Sequence, residues 1–500
     1  MTLSPVRLRI LIVSLFTVSF LGALDHTIVS TSLSTIAGKL GALEEMSWVV
    51  VAYTLAATVT LPLLGKLADS LGPRRVFLAS LALFVVASFA CGFATDITML
   101  IVARVAQGLS SAGLQLMSQT IVATVTTPRE RPRILSVIGT AFPVAILVGP
   151  VIGGVITDTL GWQWVFWINV PFGVVALVLA AFAVPHVEGQ QRGRFDYAGG
   201  VTFTLALVAL VLAVTWIAKP GWAGISVALF VAAVALLVMF FLIESRVADP
   251  FVPLHHFRNR TVAAGIALSA IIGIGLFSVV SYMPTFIQMA YRTSATVSGL
   301  IPIATVFGML VASLATGWLS SRTGLYRPFA IAGTSVAAVG FATMSVLPVG
   351  LPLWVPMIVM AGVGVGTGAF MSLITAVVQG AVPRSATGAV TATTNLVRQV
   401  GATLGAATIG AVIAAGVAAG LPAQLDHSTL TPDLVRGLPT ALQGDVAAVY
   451  ASTLAPVFAA LALVYAAGIV AAVLLPAARL SDGRGETLAE VPSEPAPQTA

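Results

Sequence analysis

The sequence predicts an all-α integral membrane protein with fourteen membrane-spanning helices, and three observations carry that prediction. Of its 500 residues 58% are hydrophobic and only 8% charged, with a mean hydropathy of +1.03; a soluble domain carries about 25% charged residues. Apolar windows of about 20 residues, enough to cross a bilayer core, recur along the whole chain. Basic residues crowd into alternate gaps between those windows, as the positive-inside rule requires.

In order, the windows fall near 10–32, 47–65, 76–95, 98–124, 134–157, 164–184, 197–217, 222–243, 262–288, 298–320, 328–347, 352–378, 388–417 and 452–476. Each gap holds turn residues or charges. Examples are Gly65 to Arg75, Arg129 to Arg133, Arg192 and Arg194, Lys219-Pro220-Gly221, Arg322 to Arg327, and Pro383-Arg384. With the N-terminus placed in the cytoplasm, the inside gaps collect about eighteen Lys and Arg. The outside gaps hold Lys39, Lys219, Arg292 and Arg436. A miscount by one helix would scramble that alternation, so both termini are expected in the cytoplasm. The first helix is expected to act as a signal anchor, since no A-x-A cleavage site follows its long apolar run. The Pro-, Glu- and Ser-rich tail 481–500 reads as disordered. The outside segment 418–450 reads as a connector, or as an amphipathic stretch through Leu442 and Val446 that lies on the outer surface.

Composition also excludes function classes. The net charge of +6 and pI near 9.8 come from cations spread over short loops, so no nucleic-acid patch is expected. One cysteine, Cys91, allows no internal disulfide and no metal cluster. No nucleophile–base pair or metal constellation stands out, so the chain is expected to be no enzyme and to need no cofactor or metal.

Two charges break the apolar pattern. Asp25 lies inside the run from Ile10 to Leu33; a carboxylate near the bilayer centre costs about 2.5–3.5 kcal/mol on insertion scales, which marks it as a functional candidate. It must pair with a cation or take up a proton. Arg104 lies in the fourth window and shares one helical face with Gly108, Ser111, Gln115 and Gln119. A stripe this polar must face protein or water. From the residues alone Arg104 reads as a hydrogen-bonding hub to backbone carbonyls. His26, turned about 100° from Asp25 on a helix, reads as a packed neutral ring. Arg398, in the thirteenth window, reads as structural or as a contact to polar groups of a substrate.

Several motifs stand in order along these helices: Gly65-Lys66-Leu67-Ala68-Asp69-Ser70-Leu71-Gly72-Pro73-Arg74-Arg75, then Arg104-Val105-Ala106-Gln107-Gly108, then Gly149-Pro150-Val151-Ile152-Gly153-Gly154. Leu24-Asp25-His26-Thr27-Ile28-Val29, Gly161 to Pro171 and Phe195-Asp196-Tyr197 add to them. Together they resemble the major facilitator superfamily, and within it the fourteen-helix drug:proton antiporter branch. The resemblance implies a major facilitator fold: two six-helix bundles (1–190 and 251–480) with an inserted helix pair (191–250). Substrate would bind between the bundles and exchange sides by rocking.

The residues also have readings of their own. Gly65 and Gly72 permit tight turns, and Asp69 can accept from a neighbouring helix N-terminus. Arg74 and Arg75 face lipid or cytoplasmic acids, or serve topology alone. Ser70 and Pro73 depart from the family pattern, where basic residues are common, so the loop's latch is expected to be weak. Gly317 to Gly324 looks like a second copy in which Ser321 replaces the acid. Gly149 with Gly153, and Pro150 with Gly154, sit four residues apart, the spacing at which small residues bring helices together; the resemblance adds an antiporter role.

The expected function is a proton-coupled exporter in a bacterial inner membrane, acting on drugs, dyes or antibiotics, with Asp25 as proton carrier and Arg104 as its electrostatic partner. The alternative is a dedicated exporter of one metabolite or lipid. Lacking a second intramembrane acid, the chain is expected to favour lipophilic neutral or monocationic compounds. Candidate liners are Tyr53, Gln115, Gln119, Phe142, Tyr282, Phe286, Gln288, Asn395 and Arg398. Its expected partners are substrate, protons and lipid, and it is expected to act as a monomer.

Overall fold

A computed structural model of the chain describes residues 4–41, 45–186, 196–216, 221–247, 254–421 and 432–480. The tail 481–500, the linker 187–195 and residues 422–431 of the outside segment 418–450 lie outside the described residues. Every regular element described is helical. The first half holds α1 (Pro5–Lys39), α2 (Met46–Leu71), α3 (Pro73–Gly92), α4 (Ile97–Val125), α5 (Arg131–Gly139), α6 (Ala141–Thr159), α7 (Trp164–Trp167) and α8 (Asn169–Ala183). The inserted pair is α9 (Tyr197–Trp216) and α10 (Ala223–Glu244). The second half holds α11 (Arg260–Ile272), α12 (Ser278–Tyr291), α13 (Ala295–Ser298), α14 (Leu300–Thr323), α15 (Arg327–Val346), α16 (Trp354–Gly380), α17 (Thr387–Gly420), α18 (Pro432–Gly437) and α19 (Thr440–Leu474).

Local chemistry sets these boundaries. Ser4 caps α1 through Arg7 N–H at 3.3 Å, and Asp96 caps α4 through Met99 N–H at 2.9 Å, satisfying donors that have no intrahelical partner. Gly72, at φ +87°, ends α2 and hands the chain to Pro73 at the first position of α3, where a missing N–H costs nothing. Prolines explain where single predicted windows split. Pro143 cannot donate to Gly139, and α5 gives way to α6 at Thr140; Pro171 stands four residues after Trp167, where α7 gives way to α8.

Among the described residues thirteen helices or joined helix pairs are long and apolar enough to cross a membrane. The remaining predicted window, 262–288, is interrupted: a π-helical turn, Gly273–Phe277, separates α11 from α12. Gly273 sits where an added Cβ would strike the backbone of Arg398 and Ala402, so this wide turn is pressed against α17.

Apolar cores form within each half. In the first, Phe77, Phe84, Leu114 and Met117 pack together; in the second, Phe341, Phe370, Phe458 and Tyr465 do so. The inserted pair joins Phe203 of α9 and Phe240 of α10 to Val59 of α2 and Leu396 of α17. It therefore flanks the seam where the two halves meet. Most of the large side chains of α10 face outward, among them Phe230, Val231, Val234 and Leu242, as expected of a helix in contact with lipid.

Candidate functional site

Helices of the first half converge on Asp25, which is completely buried. Arg104 Nη1 donates to Asp25 Oδ2 at 2.6 Å, forming an ion pair with both side chains at 0% exposure. Gln107 Nε2 and Asn169 Nδ2 donate to Asp25 Oδ1 at 2.8 and 2.9 Å. The carboxylate therefore receives three N–H donors from α4 and α8. Gln107 is itself held: its Nε2 donates to Ser88 Oγ at 2.8 Å, and its Oε1 accepts from Arg104 Nη1 at 2.7 Å and from Cys91 Sγ at 3.5 Å. Arg104 Nε donates to the Val49 carbonyl at 3.2 Å. Its guanidinium lies 4.1 Å from the centre of the Tyr53 ring and 5.9 Å from that of Phe166, a cation–π arrangement that strengthens when dry.

Glycines make this convergence possible. A Cβ on Gly108 would collide with the Tyr53 carbonyl, so only glycine lets α4 approach α2 closely enough to set Tyr53 beneath Arg104. The Tyr53 hydroxyl donates to Ser111 Oγ at 2.7 Å and lies 3.3 Å from the Gly22 carbonyl. Gly149 faces Thr27, and Gly153 faces Ile28. These contacts seat α6 on the turn of α1 that carries Asp25, and Thr27 Oγ1 donates to Ala145 O at 3.2 Å. The other spaced pair differs: Pro150 is exposed and nothing lies near a Cβ added to Gly154, so only Gly149 and Gly153 bring helices together.

Two buried atoms in this site have no hydrogen-bond partner, Arg104 Nη2 and Asn169 Oδ1. The network is thus filled around the carboxylate and open at its edges. One guanidinium and two neutral amides thus occupy both carboxylate oxygens. Protonation would remove the charge that holds Arg104, leaving a buried guanidinium without its partner.

A second set of contacts joins the two halves on one side. Asp69 accepts from the Gly388 and Ala389 N–H groups at 3.2 and 3.1 Å, at the first turn of α17. Arg129 donates from Nε to Ser321 O at 3.1 Å and from Nη2 to Arg322 O at 2.7 Å, at the last turn of α14. An acid on a helix N-terminus and a base on a C-terminus each complement the helix dipole. Thus the second loop, with Ser321 in place of an acid, is engaged through its carbonyls. Gly65 packs against Gly388 and Ala392. Arg74 Nη2 caps the end of α8 by donating to Ala181 O at 2.7 Å, and Arg75 is exposed.

Deeper along the same seam, Asn395 Nδ2 donates to Gln119 Oε1 at 2.9 Å, and Gln379 Nε2 lies 3.2 Å from Gln119 O and 3.1 Å from Thr391 Oγ1. Arg398 Nη2 donates to Asn395 Oδ1. The predicted stripe on α4 therefore runs from the Asp25 site through exposed Gln115 to the seam at Gln119. The other candidate liners scatter. Phe142, Tyr282 and Gln288 are half-buried. Phe286 is 6% exposed and packs edge-on against Phe458, with ring centres 5.7 Å apart, so it belongs to the core of the second half. Tyr53 belongs to the Asp25 site. Among the described residues Asp196 and Glu244, at the ends of the inserted pair, are also buried acids.

Sequence reasoning missed Gln107, Asn169 and Ser88. The signal was present: an amide inside an apolar window must find a partner.

Together these features define a polytopic helical membrane protein with a buried acid–base network in one half and a polar seam between its halves. The profile described as Major Facilitator Superfamily matches residues 15–406, and the chain belongs to that family. It is 36% identical over 352 residues to an uncharacterized MFS-type transporter of Mycobacterium tuberculosis, covering 70% of this chain and 51% of that protein. It is 35% identical over 343 residues to the multidrug transporter protein MdtP of Bacillus subtilis, covering 68% and 63%. The aligned part thus spans about half to two-thirds of those relatives. Among solved structures, the human organic anion transporter MFSD10 matches with a TM-score of 0.61 at 14% identity, over 94% of this chain and all of that one. The proton:xylose symporter XylE matches with 0.58 at 13% identity, over 93% and 96%. At those identities the likeness shows the fold alone.

Proposed function

We propose that this chain is a proton-coupled exporter of lipophilic compounds, working by alternating access in a bacterial cytoplasmic membrane as a single chain. The observation that carries the proposal is the buried Asp25–Arg104 pair, whose carboxylate is filled by Gln107 and Asn169. Asp25 is the proton carrier. Arg104 is its counter-charge, and Tyr53, Gln107 and Asn169 hold the two in place. A proton arriving from outside neutralises Asp25 and releases Arg104; the pair re-forms when the proton leaves to the cytoplasm. Each tenfold change in proton activity is worth about 1.4 kcal/mol. For a neutral cargo the membrane potential adds about 2.3 kcal/mol per charge per 100 mV.

The side closed by Asp69 and Arg129 carries Arg74, Arg75, Arg322 and Arg384, so the positive-inside rule makes it cytoplasmic, with both termini there. In this reading the structure is closed to the cytoplasm, and Asp69 on α17 is the latch that opening must break. The names of relatives such as MdtP support a multidrug range. The scarcity of intramembrane acids argues against dications and leaves neutral and singly charged lipophilic compounds as cargo.

Cells expressing the protein, challenged with a panel of dyes and antibiotics, test the range. The proposal expects lower accumulation of several unrelated compounds, reversed by a protonophore and by Asp25→Asn. Protection against one compound class alone would replace the multidrug reading with that of a dedicated exporter.

A further inference from the structure

The only charged residue of α17 is Arg398, 9% exposed. At 1.5 Å per residue it stands about 16 Å from the Thr387 end of the helix, near the middle of a ~30 Å apolar core. Its side chain donates to the neutral Asn395 Oδ1, and among the described residues no carboxylate lies against it. Asp25 is taken by Arg104, and Arg104 lies about 22 Å along α4 from the level of Gln119. A guanidinium cannot shed its proton to escape burial as a lysine can. A buried charge is ordinarily paired, so an anion that would pair Arg398 must come from outside the described chain.

The surroundings fit a ligand site. Arg398 stands one turn beyond Asn395, whose amide crosses the seam to Gln119 of the first half. The π turn at Gly273 leans on the Arg398 backbone, and such turns recur at functional positions. Apart from Gln399, the rest of this stretch of α17 is Ala, Val, Thr, Gly and Leu, which suits an apolar ligand body.

We propose that Arg398 is the anion-recognising group of the seam, and that the cargo includes lipophilic compounds carrying one carboxylate or similar oxyanion. This rests on the exporter reading for the word cargo, and sets anions in place of the monocations expected from the sequence. Because the anion would bridge Arg398 to a residue pair shared by both halves, its arrival would be felt across the seam. A purely structural Arg398 would only hold Asn395, which a neutral glutamine can also do.

The test is equilibrium binding of three fluorescent probes to the purified chain in lipid nanodiscs: pyrenebutyrate, its primary amide, and a pyrene ammonium of the same length. The wild type is expected to bind the carboxylate about tenfold or more tighter than the amide, since a charge-assisted bond to guanidinium is lost in the amide, and to bind the ammonium weakest. Arg398→Gln is expected to bind carboxylate and amide alike, the larger loss falling on the carboxylate; Arg398→Lys keeps part of the preference. Equal affinity of the wild type for carboxylate and amide overturns the proposal, as does a preference that survives in Arg398→Gln. Should Arg398→Gln fail to give monodisperse protein, the three-probe comparison on the wild type decides. Carboxylate preference without coupled proton movement would remove the proton reading and leave this site standing. Coupled export of the ammonium without carboxylate preference would do the reverse.

Discussion

Arg104 and Arg398 are both guanidiniums buried in helices that face the middle of the molecule, and they are held in opposite ways. Arg104 has a carboxylate at 2.6 Å, a backbone carbonyl at 3.2 Å and an aromatic ring beneath it. Arg398 has a single neutral amide. The first lies wholly within one half of the chain; the second lies where the halves meet. Under the proposed exporter reading, that division separates a site whose partner is internal from one whose partner would be supplied by cargo.

The comparison can be broken at several points. The largest effect is expected from Arg104→Leu, which strands a buried carboxylate and should cost about 3–5 kcal/mol in denaturant unfolding at neutral pH. Adding Asp25→Asn should recover most of that loss; a double variant no more stable than the single one would contradict the pairing. Next comes Gly108→Ala, whose methyl meets the Tyr53 backbone, an atom that cannot swing away. It should cost about 1–3 kcal/mol and weaken proton coupling with it. Asp69→Asn removes a charge from the N-terminus of α17, worth about 0.3–1 kcal/mol. Spin-label distances across the seam at Asp69 should shift toward the open state by a few-fold in population, and Cys91 is buried, out of the way of surface labels. The smallest effect is expected from Arg398→Gln without ligand: stability within about 1 kcal/mol of wild type or above it, because no paired charge is broken. A loss as large as that of Arg104→Leu would show that Arg398 has an internal partner after all.

Much of this was readable from the sequence, and the rest has physical reasons for being hidden. Helices announce themselves because a bilayer demands long apolar runs, and Asp25 and Arg104 announce themselves by interrupting them. Their direct pairing does not, since they stand 79 residues apart on separate helices and depth depends on how each helix is seated. Neutral amides are quieter than charges: Gln107 hid inside a recognised motif, and Asn169 sat at the head of α8. Asp69 read as an acceptor for a helix N-terminus, but which helix is a matter of packing between halves. Aromatics mislead most. Phe286 and Tyr53 look alike in an apolar window, yet one fills a core and the other carries Arg104. Window edges also shift. Glu244, just beyond a predicted span, lies buried at the end of α10.

The central claim is that Asp25 carries the proton, and reconstituted liposomes test it most directly. Wild-type protein given lipophilic substrate should move protons against it down an imposed pH gradient, detected by an entrapped pH dye. Asp25→Asn, still folded and still binding substrate, should move none. Full coupled antiport by Asp25→Asn would contradict the account.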